Sequence, residues 1–221
     1  MITEFVYVRH GETAANRAGI LQGGGVNVSL NENGVRQAHA VAEYLSKEHF
    51  DIAFASELLR AAETAQIIAE RNVSGFQLHL VPQLREWCCG EMDGMNFSDI
   101  YKRFPVEGRS FAFEQIETQM PGGESGVEFQ ARVANFVTEL SRTYAGKRIL
   151  LVAHGGVLQR IFRMVAGVVQ RENMLPLAGN ASVSSFIYND ELDAWQLTSW
   201  NRNDHLKGIP HAFVSRVIWL H

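Results

Sequence analysis

Cysteine is nearly absent from this sequence of 221 residues: there are two, Cys88 and Cys89, and they are neighbours. Adjacent cysteines rarely meet the Cβ separation and direction that a disulfide needs. No disulfide framework is therefore expected, which fits a reducing compartment. Basic charge is not in excess either. Twenty Lys and Arg stand against 24 Asp and Glu, a net charge of −4, which gives nucleic acid or an anionic membrane surface little electrostatic hold. No uninterrupted apolar run approaches the ~20 residues of a membrane helix. The start, "MITEFVYVRH", lacks the basic residues and long apolar run of a secretory leader. These absences lead us to expect a cytoplasmic protein with no membrane or nucleic-acid partner. No stretch rich in Pro, Ser or charge divides the chain, and no repeat of 20–50 residues is present.

What the sequence does have is a core-sized hydrophobic content, 46%, arranged in alternating patterns. "FVYVR" (5–9), "DIAFAS" (51–56), "LHLVP" (78–82) and "RILLVA" (148–153) read as buried strands, being short, β-branched or aromatic, and punctuated. "SVSSFIY" (182–188) and "WQLTSW" (195–200) alternate like strands around a turn. Between them lie helical patterns. One, capped by Asn31, repeats Val35, Ala38, Val41, Ala42 and Leu45; a second places Leu59, Ala62, Ala65 and Ala69 on one face. A short helix is expected near Phe97–Phe104. Two more carry Val133, Phe136, Val137, Leu140 and Tyr144, and Val157, Leu158, Ile161, Phe162 and Val165. The reading is an α/β chain of one domain, residues 1–221, with an insertion or cap at about 84–123.

Two of these strands end alike. "VYVRHGE" and "LLVAHGG" each deliver His-Gly at the carboxyl end, at His10-Gly11 and His154-Gly155. Ligands of open α/β sheets bind at that end. The other six histidines read as ordinary surface or satisfied core residues. Arg60 falls in the first turn of a helix, where the dipole favours negative charge, so a bound anion explains it better than solvent does. Arg9, His10, Arg60 and His154 together suit a compact dianion, and planar guanidinium groups match phosphate oxygens in pairs. No Asp-x-His, His-x-x-x-His or Cys spacing supports a metal.

In order along the chain, the motifs resemble those of the histidine phosphatase superfamily, the phosphoglycerate mutase-like family. They are Arg9-His10-Gly11-Glu12 with Thr13 and Asn16, the pair Gln22-Gly23, and "SELLRAAETA" from Ser56 to Ala65. Glu86 in "LRE", "PGGES" at 121–125 and His154-Gly155 complete the set. The resemblance spans about residues 4–200. It implies a three-layer α/β/α sandwich around a mostly parallel sheet, no metal and no cofactor. It also implies that His10 is the nucleophile, carrying phosphate as phosphohistidine, and that Glu86 is the proton donor. Arg9, Arg60 and His154 would line the phosphate pocket, with Asn16, Gln22, Gly23 and Gly155 binding substrate.

The family contains phosphatases and mutases. Its mutases carry a longer insertion after the acid, with an Arg-Arg pair, where this chain offers only Lys102-Arg103. A metal-independent phosphatase of a small phosphorylated metabolite is favoured over a cofactor-dependent phosphoglycerate mutase. A non-catalytic phospholigand binder is the remote alternative, since no member of the catalytic set is missing. The segment "LQGGGVNVSL" departs from the family pattern, with Asn27 near the customary acid, and its glycines suggest a flexible rim. The cap supplies Phe97, Tyr101, Phe104, Phe111, Phe113 and Met120, some of them to a partly apolar pocket mouth. The stretch 209–221, with Phe213, Val217, Ile218 and Trp219, is expected to pack on the chain or to form a homodimer contact.

Overall fold

A computed structural model describes residues 1–113, 117–167 and 176–210, and the side chains of 110–113 are outside that description. In chain order the elements are β1 (Ile2–Arg9), α1 (Ala14–Arg17), α2 (Glu32–Tyr44), β2 (Ile52–Ser56), α3 (Leu59–Arg71) and β3 (Gln77–Val81). Then come α4 (Phe97–Arg103), α5 (Pro105–Phe113), α6 (Gly126–Thr143), β4 (Arg148–Ala153), α7 (Gly155–Ala166), β5 (Val183–Asn189) and β6 (Ala194–Arg202).

The six strands form one mixed sheet in the order β3-β2-β4-β1-β5-β6. β3, β2, β4 and β1 are parallel neighbours, and β5 runs antiparallel to both β1 and β6. Alternate residues of each strand serve opposite faces. Phe5 and Tyr7 of β1, with Ile149 and Leu151 of β4, pack against α6 and α7 through Phe129, Val133, Val137, Val157 and Ile161. Val6 and Val8, with Leu150 and Val152, pack against α2 and α3 through Val41, Ala42, Leu45, Ala65 and Ile68. Both faces are covered, which is why these strands read as continuous apolar runs and not as alternating ones. This is the α/β/α sandwich expected from the sequence.

Two expectations need correction. On α3 the buried residues are Arg60, Ala61, Thr64, Ala65 and Ile68, while Leu59 is 41% exposed. The apolar stripe from Leu59 to Ala69 is rotated off the core because the helix turns Arg60 and Thr64 inward. The glycine-rich rim is not slack. Gly25 N–H donates to Asp93, Gly24 N–H to the Trp87 carbonyl, and Asn27 Oδ1 accepts from Leu59 N–H at the start of α3. A Cβ on Gly23 would stand 2.1 Å from Asp93 Oδ1, so glycine here serves close approach.

Residues 84–103 join the α6–α7 side of the core through Leu84, Trp87, Cys89, Met92, Phe97 and Ile100. Met120 is buried with them, and Tyr101 and Phe104 pack against the same cluster. Phe111 and Phe113 fall outside the described side chains. At the other end, Pro210 is docked on α2, its carbonyl accepting from Asn33 and Gln37. Phe213, Val217, Ile218 and Trp219 lie outside the described residues. Among the described residues no helix is long and apolar enough to cross a membrane.

Candidate functional site

The site begins with strand register. Arg9 of β1 pairs with Ala153 of β4, so the next residues, His10 and His154, leave adjacent strands side by side. Their ring centroids are 5.2 Å apart. His10 N–H donates to the Ala153 carbonyl, and the His10 carbonyl accepts from Asn180 Nδ2. Gly11 is required by crowding, since a Cβ there would stand 2.5 Å from the Gly34 carbonyl oxygen.

His10 Nδ1 lies 2.7 Å from the Gly11 carbonyl oxygen. A carbonyl can only accept, so Nδ1 carries the proton and Nε2 keeps its lone pair. Burial, and then the guanidinium groups of Arg60 and Arg9, hold the imidazole well below the ordinary histidine range. His154 is also buried and neutral for the same reasons, with His10 adding to them. Its Nε2 lies 2.8 Å from Ser56 Oγ, and its carbonyl accepts from Tyr7 Oη.

Glu86 is set between two anchors. Its Oε1 accepts from Trp87 N–H at 2.9 Å, and its Oε2 accepts from Gly156 N–H, also at 2.9 Å, at the start of α7. The backbone around it is held by Arg132, which donates to the carbonyls of Gln83 and Arg85 and forks onto Glu124. Trp87 is 1% exposed, stacks on Phe129 and lies beneath the Arg160 guanidinium.

A small cavity opens at the carboxyl ends of the strands. It is lined by Arg9, His10, Asn16, Gln22, Glu86 and Gly155, all anticipated from the sequence, and by Ile20, Leu21, Phe97, Gln159, Leu177 and Ala178. The amides facing it are oriented from behind. Asn16 Oδ1 accepts from Thr13 N–H and from Asn180, and Gln22 Oε1 accepts from Thr13 Oγ1. Each therefore turns its –NH₂ elsewhere, as a donor. Arg9 Nη1 donates to the Ala178 carbonyl.

Arg60, His154 and Gly23 are not among the lining residues and stand behind them. Arg60 is fully buried and donates to the carbonyls of Val26, Gln22 and Gly23. Burial lowers its pKa from 12.5 to about 10, so it remains a cation at neutral pH. From its place in the first turn of α3, Arg60 is expected to meet an anion together with the free N–H groups of the helix. In the structure it also shapes the rim that holds Gln22. Asp93 closes the same rim, accepting from Gly25 N–H at 2.8 Å, and burial pushes its carboxyl up to about 6.

Several contributors carry no clear signal in the sequence. Ser56 and Thr64, which accepts from Gly11 N–H, read there only as parts of one motif, Ser56 also as the residue before a helix. Asn180 and Gln159 do not stand out. The available signal for Gln159 is a polar residue four positions, one helical turn, after Gly155. Glu12, unexplained by the sequence, has a plain partner set. Its Oε1 accepts from Arg17 and from Asn31, the N-cap of α2, which ties the loop after β1 to two helices. Among the described residues no group of three or more His, Cys, Asp or Glu is arranged to hold a metal ion.

Comparison with known proteins agrees with this geometry. The family model described as the histidine phosphatase superfamily (branch 1) matches residues 5–203. A metal-independent phosphoserine phosphatase of Arabidopsis thaliana is 33% identical over 210 residues, covering 94% of this chain and 85% of that protein. A phosphoglycerate mutase-like protein of the same plant is 34% identical, covering 92% and 87%. Among solved structures, a mycobacterial glucosyl-3-phosphoglycerate phosphatase superposes with a TM-score of 0.79 at 29% identity, covering 92% of this chain and all of that one.

Proposed function

This chain belongs to the histidine phosphatase superfamily and is a phosphatase, and on that footing we propose that it hydrolyses a small phosphomonoester through a phosphohistidine on His10. The observation that carries the proposal is the His10 tautomer: Nδ1–H is committed to Gly11, and burial keeps the ring neutral, so Nε2 is a nucleophile beside the cavity. In the first step Nε2 forms a bond to phosphorus as the P–O bond to the alcohol breaks. The leaving oxygen takes the proton of Glu86, which begins the cycle as the acid. In the second step water attacks phosphorus, the P–N bond breaks, and the ionised Glu86 accepts the proton of that water.

Charge in the transition state sits on the equatorial phosphoryl oxygens. Arg9, the amide of Asn16 and the N-terminus of α7 at Gly155 are donors fixed before substrate arrives, each worth about 3 kcal/mol in such sites. His154 and Arg60 act from behind the lining. Ser56 holds the His154 ring, and the cationic Arg60 adds positive potential. Phosphoserine, the substrate named for the plant relative, is a candidate of the right size. The cap and the chain as one domain, 1–221, remain part of the same reading, as does a cytoplasmic setting.

The test is turnover of a panel of phosphorylated metabolites without added metal, comparing wild type with H10A. The panel includes 3-phosphoglycerate with and without 2,3-bisphosphoglycerate. Phosphate release by wild type, with a +80 Da adduct on His10 in acid-free intact-mass spectra, is the expected outcome. Isomerisation outpacing release would make the chain a mutase, and full activity in H10A would end the covalent mechanism.

A further inference from the structure

We propose that Gln159 reads the alcohol half of the substrate, so that the site selects short phosphomonoesters whose alcohol carries a hydrogen-bonding group over bare alkyl esters. The inference rests on the phosphatase reading of this cavity and extends it to substrate class.

Gln159 lies on α7 and lines the same cavity as His10 and Gly155. It is 3% exposed, and its Oε1 is buried with no hydrogen-bond partner among the described residues. A buried amide oxygen left unpaired costs about 1–3 kcal/mol. On α7 the neighbouring positions Leu158 and Ile161 are core residues, and a leucine at 159 would remove that cost. The acceptor atoms of the other polar side chains of the lining are held by the protein, although Gln22 Nε2, like Gln159 Oε1, is buried without a partner among the described residues. Gln22 and Asn16 accept from Thr13, Glu86 from Trp87 and Gly156, and Arg9 donates to Ala178. Gln159 Oε1 has no such role, so its partner is a group that enters the cavity.

Spacing indicates which group. Gln159 is four residues beyond Gly155, one turn along the same helix face, and about 6 Å in axial rise. Its side chain leans back toward the helix N-terminus. With the phosphoryl group at Gly155 and His10, the Gln159 amide meets substituents on an alcohol of two or three carbons. The rest of that wall, Ile20, Leu21, Phe97, Leu177 and Ala178, is aliphatic or aromatic or presents only backbone. Gln159 is therefore the side chain there able to hydrogen-bond a carboxylate, hydroxyl or ammonium. Its amide donates or accepts according to how χ3 is turned. Being neutral, it tolerates any of the three.

The experiment compares wild type with Q159L, which keeps the volume and removes the amide. Q159M and a thermal melt of each variant guard against a folding defect. The first readout is the ratio of kcat/KM for the best polar ester among phosphoserine, phosphoglycolate and phosphoethanolamine to that for propyl phosphate. The expected result is a tenfold or greater fall in this ratio for both variants. A ratio within twofold of wild type, whatever the absolute loss, overturns the proposal. The second readout is calorimetric binding in an H10A background. Q159L should weaken phosphoserine tenfold relative to inorganic phosphate, and an equal effect on both ligands overturns the proposal. A wild type that binds with this discrimination but releases no phosphate would reject the phosphatase reading while upholding the role of Gln159.

Discussion

The carboxyl ends of β1 and β4 carry the same dipeptide, His-Gly, in register with each other, and the structure uses them differently. At β1 the imidazole is fixed through Nδ1 to its own neighbour's carbonyl, and the ring lines the cavity. At β4 the imidazole is fixed through Nε2 to Ser56 on the adjacent strand, and the ring stands behind the lining. The glycines differ as well. Gly11 is crowded by backbone, with Gly34 against it, whereas a Cβ on Gly155 would stand 3.5 Å from the Arg9 guanidinium. Identical local sequence therefore yields a ring that lines the cavity at one end and a buried ring outside the lining at the other. The cause is which ring nitrogen the surroundings have claimed.

The largest expected effect separates the two histidines. H10A should lose activity by roughly a million-fold, as removal of a nucleophile does, and should form no phospho-adduct. H154A should lose about a hundredfold to a thousandfold in kcat while still trapping the adduct on His10. An adduct found on His154, or kept in H10A, would invert the comparison.

A smaller effect is expected from G156A. Its new Cβ would stand 2.2 Å from Glu86 Oε1, so the carboxyl must swing away while the helix persists. The expected loss is about tenfold to a hundredfold in kcat, since a misplacement of an ångström can cost that much. It should come with little change in KM or melting temperature, read by steady-state kinetics and calorimetry. Wild-type kcat in G156A would remove Glu86 from the chemistry.

S56A probes the β4 end alone. It should cost about 1 kcal/mol of stability and a few-fold in kcat, measured by urea unfolding and kinetics, with adduct formation intact.

The smallest effect is on pH. Both imidazoles are held below the ordinary value of 6.5 in the folded chain. Below pH 6.5 the unfolded chain binds protons that the folded chain refuses, so stability falls as pH drops through that value. Asp93 works in the opposite sense. Its carboxyl is raised from 3.8 to about 6, so the folded chain binds the extra proton between those values, and its contribution declines as pH rises through them. Urea midpoints at pH 7.5 and 5.5 should therefore show a net loss at the lower pH that shrinks in H154Q. An unchanged slope in H154Q would mean that the β4 imidazole is not held neutral.

Much of this architecture is legible in the order of residues. Strands covered on both faces need unbroken apolar runs, and β1 and β4 have them. Asn31 caps α2 as expected, since few residues other than a short polar side chain can satisfy the first amides of a helix. Helix α3 departs from its apolar stripe for an instructive reason. Its inward face carries Arg60 and Thr64, so hydrophobicity no longer marks the side that is buried. The rim at 22–26 suggests looseness because glycine is permissive, yet there the missing Cβ admits the Asp93 carboxyl and the carbonyls of Trp87 and Glu86.

By itself the sequence determined the strands, the helix spacing and the set of residues able to handle phosphate, because periodicity and residue chemistry are local properties. Only the tertiary structure decided which nitrogen of His154 is claimed, that Arg60 supports a rim as well as a charge, and that Gln159 faces the cavity. The first two depend on distant partners, Ser56 lying 98 positions from His154 and Gln22 lying 38 from Arg60, whereas His10 is held by the carbonyl of its own neighbour Gly11. Spacing along the chain carries no record of a contact made only when the sheet closes.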